Sequence, residues 1–177
     1  MSCASAVLAA VARLGRPRVV VLIDGGAGAG KSTLAEQVVA HWPGAVQLVG
    51  MDSLYPGWDG LAEGSAIVAR DVLRPTGPGY RSWDWERGEP GPWVPLDPEV
   101  SLVVEGCGAL TADTRRLADL AVWCELDPVR RRELAIARDG ERFAVNWDQW
   151  AAQEAAHWAA NQPWTLADLV VSPVSQH

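Results

Sequence analysis

Residues 25–33 read Gly25-Gly26-Ala27-Gly28-Ala29-Gly30-Lys31-Ser32-Thr33 and hold the only lysine of the chain, every other basic residue being an arginine. A glycine, four further residues and then Gly-Lys-Ser suit one kind of ligand. Glycines let successive backbone N–H groups turn toward phosphate oxygens where a β-carbon would obstruct the approach. The lysine can reach the terminal phosphates, and the serine hydroxyl can be offered to a divalent cation. A helix starting near Lys31 would add the positive end of its dipole. The expected chemistry is the grip of a nucleoside triphosphate, ATP with Mg²⁺, by the loop amides and Lys31.

Two carboxylates have the right neighbours to act on that phosphate. Val46-Gln47-Leu48-Val49-Gly50-Met51 leads into Asp52-Ser53-Leu54-Tyr55, which puts Asp52 just past the end of a strand, the edge where α/β sheets bind ligands. An acceptor hydroxyl must lose a proton as it attacks phosphorus, and Asp52 is placed to take it. Glu105 follows the apolar run Leu102-Val103-Val104. A carboxylate there needs a partner or a metal to offset its desolvation, so Ser32 and Glu105 are the expected Mg²⁺ residues. Five arginines crowd residues 130–142: Arg130, Arg131, Arg132, Arg138 and Arg142. Neighbours on a helix differ by about 100°, so the first three cannot all face one site. Arg138 and one of the three are expected to cover the phosphoryl group in transit.

These residues need a scaffold that gathers strand ends along one edge. The β-branched run 18–23 suits a strand buried on both faces, and it ends at the glycines. Further strands are expected at 46–49, 102–104, 120–126 and 169–171, with helices at 32–41, 61–73, 113–118, 128–138 and 147–160. Asp127-Pro128 reads as an N-cap followed by a first-turn proline, and Asn146 with Gln149 as a second start. The apolar residues 4–12 read as a short helix packed on the core. Strands alternating with helices predict one α/β domain over residues 1–177, with five parallel strands between two helix layers. Residues 74–98 contain half of the twelve prolines and read as a long binding loop. Of ten tryptophans, Trp147, Trp150 and Trp158 recur with Ala151 and Glu154 at helical spacing and read as packing residues. His157 on the same stretch reads as structural. Trp83, Trp85 and Trp93 read equally as a stacking surface or as the loop's own small core.

A net charge of −7 argues against nucleic acid and anionic membrane as partners. Cys3, Cys107 and Cys124 are widely spaced and suggest neither a disulfide framework nor a zinc site. The N-terminal apolar run has no basic segment before it, and no stretch reaches membrane-spanning length, so the expectation is a cytoplasmic protein. A homo-oligomer is left open. With Lys31 the sole lysine, no Asn-Lys-x-Asp guanine-reading motif of a Ras-like GTPase can exist. The Leu-Ser-Gly-Gly-Gln signature of a transporter ATPase is also missing.

The ordered set GGAGAGKSTLA, DSLY, LVVEGCGAL and ELDPVRRRELAIARDGERF resembles the uridine kinase family of P-loop nucleoside kinases, from Val19 to about Arg142. The resemblance implies a three-layer P-loop kinase fold with a lid over about residues 128–142 and an acceptor-binding insertion over about 53–98. It also implies that Asp52 is the base, that Tyr55 lines the acceptor site and that Glu105 organises Mg²⁺. The acceptor it implies is a nucleoside. A pantothenate-like or sugar-like alcohol is the enzymatic alternative, and a nucleotide-binding regulatory module without phosphotransfer is the other. The family's Asp/His/Pro-rich acceptor segment is not reproduced. Residues 80–86 stand in its place, and Arg81, Trp83 and Asp84 join Asp52 and Tyr55 as expected acceptor contacts. Base recognition is expected from the lid and from Ser172-Pro173-Val174.

Overall fold

A computed structural model describes residues 2–173. The chain opens with helix α1 (Cys3–Leu14), capped by the Ser2 side chain and closed by Gly15 in the left-handed conformation. Strand β1 (Val20–Gly25) then runs into the glycine loop and helix α2 (Lys31–Ala40). Strand β2 (Val46–Gly50) ends in a 3-10 turn, Met51–Ser53, that carries Asp52. Helix α3 (Leu61–Ile67) continues through a π-helical turn, Val68–Val72. After strands β3 (Gly79–Asp84) and β4 (Glu89–Pro95) come β5 (Ser101–Glu105), the short helix α4 (Ala112–Arg115) and β6 (Leu120–Cys124). The long helix α5 (Pro128–Asn161), the turn-sized α6 (Pro163–Leu166) and β7 (Leu169–Val171) complete the chain.

Five parallel strands form the main sheet in the order β2-β5-β1-β6-β7. Alternate side chains explain why it carries helices on both faces. Val20, Leu22, Val104 and Ala121 point into one buried cluster, which includes Leu61, Phe143 and Trp150. Val21, Ile23, Val103 and Val122 point into the other, which includes Val7 and Val11 of α1 and Leu34 and Val38 of α2. Every residue of β1 is buried, as a central parallel strand requires. This is the expected three-layer α/β architecture, and all five expected strands are present.

Two expectations change. The proline-rich residues 74–98 are not structureless: β3 and β4 pair antiparallel as a separate two-stranded sheet. Prolines 90, 92 and 95 all lie on β4, which is tolerable because this strand pairs on one side only. The two helices expected at 128–138 and 147–160 are instead limbs of α5 that meet at Gly140. Its φ of 70° with ψ of −157° is a conformation essentially reserved for glycine. The second limb therefore starts directly after Gly140. Asn146 lies within it, its side-chain amide donating to the Arg142 carbonyl at 2.8 Å, and caps nothing. Asp127 does cap α5, accepting from the amides of Val129 and Arg130.

Candidate active site

Strand register gathers the expected residues. Ile23 on β1 pairs with Glu105 on β5, and Glu105 also pairs with Gly50 on β2. Three strands thus end together, delivering the glycine loop, Glu105 and the Asp52 turn to one edge. A cleft of about 320 Å³ opens there, with Gly28, Gly30, Lys31, Ser32, Asp52, Tyr55, Glu105 and Arg138 among its lining.

Gly28 and Gly30 adopt φ of 80° and 86°, and the dipole of α2 begins at Lys31. The Lys31 ammonium donates to the Gly26 carbonyl at 2.8 Å. Burial disfavours its charge, but Cys107 and the carboxyl groups of Glu105, Glu154 and Asp24 around it more than reverse this and hold its pKa above the usual lysine value. Lys31 is a permanent cation at the floor of the cleft. The Ser32 hydroxyl donates to Glu105 Oε1 at 3.1 Å, so a hydroxyl and a carboxylate stand together, a donor pair that fits Mg²⁺ with its water shell.

Asp52 sits on the cleft's rim, reachable by solvent but with cleft walls crowding its carboxyl. Burial by the surrounding walls raises its carboxyl above the ordinary value of 3.8, opposed by Lys31 and Arg138. The carboxylate accepts no hydrogen bond from the described residues; only the backbone carbonyl is engaged, by the Trp85 indole N–H at 2.7 Å. Burial raises Glu105 too, with Asp52 adding to it and Lys31 and Ser32 opposing it. A raised pKa in the folded state favours the protonated form there. The stabilisation is complete below the unfolded value near 4.5 and is lost as pH rises through the folded value. Without metal, Glu105→Gln should therefore gain stability relative to wild type as pH rises above about 4.5. Paired urea titrations across this range check it; a difference that stays flat would show that Glu105 ionises without penalty.

The other expected residues divide between the cleft and the surface. Arg130 pairs with Glu133 on the exposed face of α5, and Arg132 is exposed. Arg138 lines the cleft, bound through two contacts to Asp139. Arg81, Trp83 and Asp84 are not among the residues lining the cleft. Arg81 donates to the Gly91 carbonyl across the hairpin, and Asp84 caps the hairpin turn through the amides of Glu86 and Arg87. Trp93 is exposed beneath Arg74. The hairpin residue that does reach the cleft is Trp85, joined there by Trp58, Arg142, Phe143 and Trp150. Val174, one of the residues expected to read the base, lies outside the described residues.

A layer beneath the cleft escaped the sequence reading. Glu154, 2% exposed, accepts from the Ala27 amide at 2.5 Å and from the Cys107 thiol at 3.2 Å. Arg131 pairs with Glu154 at 3.4 Å, donates to the Ala27 carbonyl at 3.2 Å and stacks over Trp158. Both polar groups of the Ala27 backbone are thereby held by one ion pair joining the two limbs of α5. Gly26 and Gly28 are needed for this contact, because a β-carbon at either would lie about 2 Å from Arg131. Asp24, fully buried, accepts from the amides of Gly25, Gly108 and Leu110 and meets His157 Nε2 at 3.2 Å. The signal available in sequence was a carboxylate, Glu154, in the middle of an apolar helical stripe.

No protein-family model and no curated protein matches the sequence. Solved structures do match over nearly the full length. One is described as a possible uridine kinase from Bacillus stearothermophilus, 17% identical, with 92% of this chain and 94% of that one covered and a TM-score of 0.63. Another, described provisionally as a fructose transport system kinase from Silicibacter sp. TM1040, is 20% identical, with coverages of 97% and 100% and a TM-score of 0.64. The fold is that of the P-loop kinases. Within it the glycine loop leads from the central strand into α2, and no described helix is long and apolar enough to cross a membrane.

Proposed function

We propose that this chain is a small-molecule kinase, transferring the γ-phosphoryl group of ATP to a hydroxyl of an acceptor bound on the Asp52 side of the cleft. One observation carries the reading: a carboxylate uncommitted to any described donor shares a cleft with the glycine loop and its buried lysine. A module that only bound nucleotide would have no use for such a group. In the reaction, the loop amides and Lys31 hold the phosphates of the donor. The acceptor oxygen forms its bond to the γ-phosphorus as the bond from phosphorus to the β–γ bridging oxygen breaks, releasing ADP. The acceptor proton passes to Asp52 and from there to water. A carboxyl pKa raised toward working pH makes Asp52 a better proton acceptor than an ordinary aspartate. Ser32 and Glu105 would hold Mg²⁺, which supplies charge neutralisation at the phosphate oxygens. Arg138 lines the cleft, and closure of residues 128–142 would bring its charge over the phosphoryl group and exclude water.

The resemblance to uridine kinases makes a nucleoside one candidate acceptor, and the fructose kinase-like structure makes a sugar another. The test is ADP release from Mg²⁺-ATP with and without a panel of nucleosides, sugars and vitamin-like alcohols. The expected result is strong stimulation by one acceptor class. ATP binding with no stimulation by any acceptor would replace the kinase with a regulatory nucleotide-binding module.

A further inference from the structure

The two halves of the cleft are chemically unlike. The donor half is backbone amide, Lys31, Ser32 and Glu105. The other half is a wall of rings: Tyr55, Trp58, Trp85, Phe143 and Trp150. Trp58 stands at its centre, with ring centroids 5.3 Å from Trp85, 5.7 Å from Phe143 and 6.3 Å from Trp150, while Tyr55 meets Trp150 at 4.8 Å.

Several polar groups along this wall are already in use. The Tyr55 hydroxyl donates to the Cys107 carbonyl at 2.7 Å, and the Cys107 thiol donates to Glu154. The Trp85 indole N–H is taken by the Asp52 carbonyl, and the Trp85 carbonyl by Arg142 at 2.8 Å. Arg138 is bound to Asp139 through two contacts. What remains for a ligand is mostly ring surface, with the Asp52 carboxylate, the other N–H groups of Arg142 and the indole N–H groups of Trp58 and Trp150, which meet no partner among the described residues.

Resting on the kinase reading, we infer that the acceptor is an alcohol whose reactive hydroxyl is carried on an aromatic or otherwise apolar ring body, with few further polar groups. Such a body meets the ring faces of Trp58 and Trp150 while its single hydroxyl meets Asp52. A hexose bears a hydroxyl on nearly every carbon, and a nucleoside brings vicinal hydroxyls and a hydrogen-bonding base edge. Each polar group that finds no partner on the wall lowers discrimination in its favour, a single hydroxyl in an apolar pocket shifting preference by about 10²-fold.

The experiment uses the full chain with Mg²⁺ and a non-hydrolysable ATP analogue. Isothermal titration is made with 3-phenylpropanol, 2-(1-naphthyl)ethanol, uridine and fructose, and ADP release from ATP is followed with the same four. The best ring alcohol is expected to bind at least about 10-fold more tightly than uridine or fructose. Trp58→Ala should weaken it by at least about 10-fold and Trp58→Phe should largely restore it, with affinity for the ATP analogue held within about 2-fold. Tighter binding of uridine or fructose than of either ring alcohol overturns the inference, as does an equal loss of ring alcohol and nucleotide in Trp58→Ala. The ADP readout separates the two claims. Turnover of fructose or uridine without ring-alcohol binding leaves the kinase and removes this acceptor class. Ring-alcohol binding with no ADP released from any acceptor leaves the ring-binding wall and removes the kinase.

Discussion

Asp52→Asn is expected to lower acceptor-dependent kcat by about 10²- to 10⁴-fold, the range of a lost general base, with ATP affinity unchanged. The substitution keeps the size and shape of the side chain and removes its capacity to take a proton. It should leave the turn intact, because the contact that fixes it runs from the Trp85 indole to the Asp52 backbone carbonyl. The phosphate-binding groups, Lys31 and the loop amides, belong to other strands and do not depend on this carboxylate for position. Single-turnover measurements at saturating ATP and acceptor isolate the chemical step. A loss of less than about 3-fold would mean that the proton leaves by another route, since even a modest general base contributes more. The pH profile gives a second readout. In wild type, activity should fall as pH drops through a carboxyl pKa above the ordinary aspartate value, and this acid limb should vanish in the variant.

Glu154→Ala is expected to be the most destabilising single change beneath the cleft. Removing one partner of a buried ion pair leaves the other charge uncompensated, at a cost of about 3–5 kcal/mol. Arg131, 7% exposed, would keep only the Ala27 carbonyl and the face of Trp158. For a domain of this size the melting temperature should fall by roughly 6–20 °C. The double variant Arg131→Met/Glu154→Leu separates folding from function. Replacing a buried pair by apolar residues is often neutral or stabilising, so the double variant should recover most of the melting temperature. Nucleotide affinity should not recover with it, because both backbone groups of Ala27 lose their partners. Thermal melts and nucleotide titrations on the three proteins check this. A single variant costing under about 1 kcal/mol would show that water replaces Glu154 at the Ala27 amide.

The strands and the glycine loop were legible because their signals are local. The run ending at Gly25 is rich in valine and isoleucine and buried throughout, and Gly30-Lys31-Ser32 sits at the one junction where its chemistry makes sense. Asp52 and Glu105 were legible as strand-end carboxylates, although only the parallel register brings them to the same edge. What could not be read depends on contacts between distant segments. Glu154 and Arg131 are 23 positions apart and meet because Gly140 folds α5 back on itself. The aromatic wall draws Tyr55 and Trp58 from one segment, Trp85 from the hairpin tip and Phe143 and Trp150 from α5, and helical spacing alone marked Trp150 only as a packing residue. The hairpin was hidden by its prolines, which argue against a central strand but are acceptable on a ribbon with free edges.

That hairpin carries a consequence for how such a protein changes over time. β3 and β4 bond to each other and share no ladder with the five-stranded sheet, so they form a detachable cassette between α3 and β5. One indole at its tip, Trp85, touches both the turn bearing Asp52 and, through Arg142, the second limb of α5. Under the proposed function, lengthening, shortening or exchanging the ribbon would re-cut the acceptor wall and leave the strands of the main sheet where they are. On that reading donor handling belongs to the sheet and acceptor preference to the ribbon.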